Sequence, residues 1–305
     1  MASPQRSGEH KSLEGCQVIL TRAAHQQTKA RELLETRGAE VLSLPSIEFA
    51  PPPSRDDSLY HQADQWIHYL DASPLLSSID WVIFTSANAV RFAESCWREW
   101  GGLNQVLHEG NSSSSESNPS AMAHPALLCV GSSTQRALRE YVHLPVERPD
   151  EFTAEGILRY LEEHDLQGKE IIIPRALIAR ELLPTTLRER GARVRVCPVY
   201  QTRGAEISPQ SLHDLGEPPP AGSIRYLTFT SDSTLHHLVA QLHPSILAQV
   251  KTHTRIAAIG PVVKQAIEGM GLHADVVADP HSLSGLISAI ERDYQALQKG
   301  RETTN

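Results

Sequence analysis

Two stretches of this sequence carry the same succession of strand, turn and helix, so the chain is limited to architectures that can be assembled twice. CQVILTRAAHQQTKARELLETRGAEVLSLP opens the first: an apolar strand, a turn at Thr21 and Arg22, an amphipathic helix, Gly38 and another apolar strand. KEIIIPRALIARELLPTTLRERGARVRVCPVY repeats that order, and the 16 positions from Arg22 to Gly38 recur from Arg175 to Gly191. In a second pair, DWVIFTSANAVRFAESC and RYLTFTSDSTLHHLVAQL, an apolar strand runs into Phe-Thr-Ser and then a helical pattern, with Asn88 and Asp232 just beyond. The third pair, LLCVGSSTQRALREY and IAAIGPVVKQAIEGM, is a strand, a glycine and a helix. The first copy is longer because of a polar segment from about Gly110 to Pro125, expected to be a disordered surface loop.

Strands alternating with helices through short turns predict parallel sheets covered by helices, the doubly wound α/β architecture, and both halves look flavodoxin-like. Ligands in such sheets bind beyond the carboxyl ends of the strands, where the strand-to-helix turns gather. The turns at Thr21, Ser86, Thr134, Ser231 and Gly260 are therefore read together as an anion-lined cleft, although each hydroxyl taken alone could simply cap a helix. Arg22 and Arg175 occupy equivalent turns and can grip a carboxylate with two parallel hydrogen bonds, with Arg180 and Lys264 in reserve. A plain surface ion pair is the competing reading for each of these cations.

Composition narrows the function. A chain of 305 residues sits where single cores divide, so two domains are expected. A net charge of −8 and the lack of a basic run with interleaved aromatics argue against a nucleic-acid partner. No stretch approaches the roughly 18 apolar residues of a membrane helix. MASPQRSGEHKSLEG has no apolar centre and reads as a frayed tail rather than an export signal, which points to the cytoplasm. Cys16, Cys96, Cys129 and Cys197 form no CxxC pair and fit buried apolar packing in a reducing compartment. Fifteen histidines are scattered, and His236 and His237, adjacent on a helix, face different directions. Phosphate-loop, dinucleotide, zinc-protease and serine-hydrolase signatures are absent, so the expected chemistry uses neither cofactor nor metal. Tyr200, where the second copy's opening unit ends, stands out as a phenol that can donate a proton without carrying charge at neutral pH. Packing at a domain junction is its alternative role.

The motifs TR after the first strand, RGAEV, FTSANAV, VGSSTQRAL, VYQT around Tyr200, FTSDS and AAIGP resemble the uroporphyrinogen-III synthase family over about residues 13 to 295. The resemblance implies two flavodoxin-like domains joined by a two-stranded linker, with the chain crossing near Pro45 to Pro51 and returning near Cys197 to Arg203. The domains would then be 1–46 with 204–305, and 51–197. The repeat by itself equally permits two contiguous halves that divide at about residue 150.

Also implied is the substrate, hydroxymethylbilane, a linear tetrapyrrole with eight carboxylates, bound by a monomer without cofactor, nucleic acid or membrane. Loss of its hydroxyl gives an azafulvene, attack at the substituted carbon of ring D gives a spiro intermediate, and reclosure leaves that ring inverted. Tyr200 falls on the family's tyrosine and is the candidate for assisting hydroxyl departure. Thr21, Arg22, Thr85, Ser86, Ala87, Thr134, Arg175, Arg180, Ser231, Gly260 and Lys264 are the candidate substrate contacts. Where the family usually has threonines after Gly-Pro, this sequence has Val262 and Val263, which removes a hydroxyl contact. A two-lobed binding or regulatory module without turnover is the reading from another class. A turnover assay separates the two.

Overall fold

The computed structural model describes residues 11–52, 79–98, 101–109 and 124–302. The chain divides into two compact units, Met1–Glu48 with Arg203–Asn305, and Phe49–Thr202. The backbone therefore leaves the first unit after Glu48 and re-enters it at Arg203.

In the first unit β1 (Cys16–Leu20), β2 (Glu40–Ser43), β9 (Ile224–Phe229), β10 (Thr254–Ala258) and β11 (Val276–Val277) form a parallel sheet in the order β2-β1-β9-β10-β11. Around it lie α1 (Thr28–Thr36), α7 (Pro209–Gly216), α8 (Asp232–Val239), α9 (Pro244–His253), α10 (Pro261–Gly269) and α11 (Leu283–Glu302). Every residue of β1 and β9 is buried. Alternate residues supply opposite faces: Val18, Leu20 and Tyr226 pack in one core cluster, Ile19, Leu227 and Phe229 in the other. A parallel sheet covered on both faces favours apolar side chains on both sides of its strands, which is why these strands read as mainly hydrophobic runs. The buried exceptions are hydrogen-bonded, Arg225 Nε donating to Gln17 Oε1 at 3.1 Å and the Thr228 hydroxyl to the Ile19 carbonyl at 2.8 Å.

The second unit repeats the plan. β4 (Trp81–Phe84), β5 (Ala126–Cys129), β6 (Val146–Glu147), β7 (Glu170–Ala176) and β8 (Arg193–Gly204) are parallel neighbours in the order β8-β7-β4-β5-β6, and β3 (Ile47–Ala50) adds to the sheet beside β8. Its helices are α2 (Ala87–Cys96), α3 (Gly102–Glu109), α4 (Gly131–Tyr141), α5 (Ala154–Tyr160) and α6 (Leu182–Glu189). Here too Val82 and Phe84 enter one cluster while Trp81 and Ile83 enter another. The repeated segments take equivalent places: β1 matches β7, β9 matches β4 and β10 matches β5. Each sheet thus combines the opening strands of one copy with the closing strands of the other.

Residues 11–15 are not a frayed tail. Leu13 is fully buried in the core cluster that holds Val18, Leu34 and Ala39, and its N–H donates to the Arg37 carbonyl at 2.9 Å, so apolar burial and a backbone hydrogen bond fix the segment. Residues 1–10 and 110–123, most of the expected polar loop, lie outside the described residues. Among the described residues no helix is long and apolar enough to cross a membrane.

Candidate functional site

In both sheets the strand order reverses direction at one point, between β1 and β9 in the first unit and between β7 and β4 in the second. The carboxyl ends flanking such a reversal are where open α/β sheets form ligand sites, since the helices beyond them turn away to opposite faces. Thr21 and Arg22 follow β1, and Ser231 follows β9. Arg175 lies near the end of β7, and Thr85, Ser86 and Ala87 make the turn from β4 into α2. β1 and β9 stay paired for five rungs, whereas β4 and β7 pair only at Trp81↔Ile171 and Val82↔Ile172. The second pair of strands therefore parts before Arg175.

The two Thr-Ser turns do cap helices. Ser86 Oγ accepts from Ala89 N at 3.1 Å and Ser231 Oγ from Thr234 N at 3.3 Å, each fixing a first helical turn. Capping uses an oxygen lone pair and leaves the O–H free to donate, so cap and ligand contact are compatible. Ser86 Oγ lies 3.3 Å from Tyr200 Oη, and Ser231 Oγ lies 3.0 Å from Ser233 Oγ.

Tyr200 owes its position to an irregularity in β8. The register runs Arg175↔Pro198 and then Ala176↔Tyr200, so Val199 is an extra residue in the ladder. A bulge shifts the side-chain alternation by one and re-aims the side chains beyond it. Val199 is consequently fully buried, while the Tyr200 carbonyl accepts from Leu177 N at 2.7 Å. The ring stacks on Phe92, with centroids 5.3 Å apart, and meets Phe49 edge-on at 5.6 Å. Two aromatic contacts thus hold a largely buried phenol with its hydroxyl at the β4–α2 turn.

The arginines at equivalent turns differ in their partners. Arg22 is partly buried, which lowers its pKa from the usual guanidinium value, and its terminal nitrogen donates to the neutral Gln26 Oε1 at 3.3 Å. No acidic side chain among the described residues pairs with it. Arg175 is 7% exposed, donates to the Arg180 carbonyl at 2.9 Å and pairs with the Glu181 carboxylate. Its Nε is buried with no hydrogen-bond partner. Arg180 contributes that carbonyl, while its own side chain is exposed.

Several expected contacts are placed otherwise. Thr21 is fully buried and its hydroxyl donates to the Thr228 carbonyl at 2.6 Å, tying β1 to β9 instead of facing a ligand. Thr134 is buried within α4, because the helix begins at Gly131 and turns that residue inward; Ser132 and Ser133 are exposed in the first turn instead. Lys264 stands within 3.6 Å of Glu268, one turn along α10, the exposed ion pair that was its competing reading. Val263 belongs to the core, so only Val262, 72% exposed, faces outward. Gly260 has an extended backbone open to any residue, yet a Cβ there would come within 3.2 Å of the His281 ring.

The sequence pattern does not single out the exposed apolar residues. Phe152 follows β6, Ile178 and Leu182 follow β7, and Val262 follows β10, so these large exposed side chains all lie in segments leaving strand carboxyl ends. The Arg148 guanidinium covers one face of the Phe152 ring at 4.7 Å. Amphipathic patterning marks a buried face but does not reveal an apolar residue outside it.

A family described as "Uroporphyrinogen-III synthase HemD" matches residues 28–288. The curated uroporphyrinogen-III synthase of Synechococcus elongatus is 28% identical over 299 residues, spanning 96% of this chain and 98% of the relative. A crystal structure of a mutant uroporphyrinogen III synthase from Thermus thermophilus superposes with a TM-score of 0.53 at 19% identity, covering 93% of this chain and 99% of that one. The uroporphyrinogen-III synthetase of Helicobacter pylori gives 0.54 at 17% identity, with 90% and 96% covered. At these identities the two structures speak to the fold.

Proposed function

The chain belongs to the uroporphyrinogen-III synthase family, and from that membership we infer that it converts hydroxymethylbilane to uroporphyrinogen III with loss of water and inversion of ring D. The family match over residues 28–288 is the observation that carries the inference. The azafulvene forms readily from an electron-rich pyrrole, so the protein's main task is to hold one folded geometry, and this reaction needs no cofactor. Ser86, Ser231, the first-turn N–H groups and Arg22 suit carboxylates, while Phe152, Ile178 and Val262 offer apolar surface to pyrrole faces. Arg22 is the cation best prepared for an anion, being partly desolvated and matched only with a neutral amide. Tyr200 assists departure of the hydroxyl by donating its phenolic proton, and Ser86 orients that phenol.

The strand orders support reading each unit as flavodoxin-like, the order being 2-1-3-4-5 when counted from β1 in one and from β7 in the other. On this reading the lobes are 1–46 with 204–305, and 51–197, and the enzyme is a cytoplasmic monomer. The test is to supply purified protein with hydroxymethylbilane and separate the type I and type III products. An isomer ratio equal to that in buffer alone would refute the function.

A further inference from the structure

We propose that Glu181 competes with a substrate carboxylate for the same place on Arg175, and that it thereby sets the affinity of the second unit's rim. The inference rests on the function proposed above.

Arg175 has a nearly buried side chain, and a guanidinium withdrawn from water needs a partner at all times. Glu181 supplies one, yet its own side chain is 61% exposed and can turn into solvent when another anion takes its place. It lies in the segment between β7 and α6, which is anchored at its start by Leu177 N on the Tyr200 carbonyl and carries Ile178, 89% exposed. Arg175 keeps two of its groups committed, one to the Arg180 carbonyl and one to Glu181, while Nε stays buried and unmatched. Nε and the terminal nitrogen that faces Glu181 form the donor pair that a carboxylate grips side by side. An arriving carboxylate can therefore replace Glu181 and satisfy Nε as well.

The repeat provides an internal control. Arg22, at the equivalent turn, is matched with the neutral Gln26 and has no carboxylate to displace. One arginine of the duplicated pair is open to an anion and the other is already holding one from its own chain. A purely structural role for Glu181 predicts the opposite outcome on its removal, because the geometry of Arg175 would then loosen.

The experiment is steady-state kinetics on hydroxymethylbilane with product isomers resolved, using the full chain, Glu181→Gln and the reciprocal Gln26→Glu, with far-ultraviolet circular dichroism as a check of folding. Glu181→Gln keeps shape and removes charge, so KM is expected to fall about fivefold with kcat within about twofold, from the difference between a charged and a neutral hydrogen bond. Gln26→Glu is expected to raise KM by a similar factor. An unchanged or raised KM in folded Glu181→Gln, with type III product still formed, overturns the proposal and leaves the function standing. Wild-type protein that forms no type III product overturns the function, and this inference with it.

Discussion

Replacing Ser86 by alanine tests whether its hydroxyl serves chemistry or only holds the helix. The side chain does two things: it caps α2 by accepting from Ala89 N at 3.1 Å, and it meets the Tyr200 hydroxyl at 3.3 Å. Losing a serine cap costs about 1 kcal/mol, and losing one long neutral hydrogen bond adds about 0.5 kcal/mol. Together these amount to about 1.5 kcal/mol, or a fall in melting temperature of roughly 3–6 °C for a unit of this size. Glycine separates the two roles, since as a cap it costs only a few tenths of a kcal/mol. Ser86→Gly, which keeps most of the cap but still loses the contact with Tyr200, should therefore cost about 0.8 kcal/mol and melt roughly 2–3 °C below wild type, about half the loss in Ser86→Ala. It should still lose activity as Ser86→Ala does, about two- to fivefold in kcat from a misdirected Tyr200. Thermal melts followed by circular dichroism, alongside the rate of type III product formation, give both numbers. If glycine restores rate as well as stability, the hydroxyl only caps the helix and the proposed coupling to Tyr200 is wrong.

Tyr200→Phe should keep the stacking on Phe92 and lower kcat about tenfold or more with folding intact; unchanged type III formation would remove the phenol from the mechanism. Arg22→Ala should raise KM roughly tenfold, whereas Lys264→Ala, which breaks only an exposed pair with Glu268, should change it less than about twofold; equal effects in the kinetic assay would refute the ranking. Burial, reinforced by the charge of Asp293, pushes the Cys16 thiol up to about 12, and burial pushes Cys129 up to about 11. With folded values above the unfolded one, these thiols contribute stability that is complete below pH of about 8.5 and drains as pH rises toward 11–12. Urea midpoints across that alkaline range should rise relative to wild type when Cys16 is replaced by alanine, once compared with each variant's own value at pH 7, and parallel curves would contradict the assignment.

The strand-end positions of much of the candidate site were legible because turns announce themselves. Ser86 and Ser231 were found from Phe-Thr-Ser at the end of an apolar run, and Arg22 and Arg175 from their equal distance to a glycine. What those side chains touch was not legible. Thr21 and Ser86 are both hydroxyls at strand ends, yet one donates inward to Thr228 and the other stands at the rim beside Tyr200. One residue of helical phase separates buried Thr134 from exposed Ser133, and no pattern in GSSTQRAL states where the helix begins. The bulge at Val199 is likewise silent in RVRVCPVYQT, although it decides which way Tyr200 points.

The amino-acid sequence alone determined that the chain makes two sets of parallel strands with donors at their carboxyl ends, because hydrophobic period, turn residues and spacing are local properties carried by each copy. It left open which copy's strands lie together. Both copies present the same edges, so β1 could meet β4 in a contiguous half or β9 across more than two hundred residues, with the same local preferences satisfied either way. Tertiary structure decided for β9, and for β7 beside β4, since the long β8 and short β3 carry the chain between units and bring those edges within reach. Pairing between distant strands depends on loop closure and on which faces can be buried together, and neither quantity is written in any one segment.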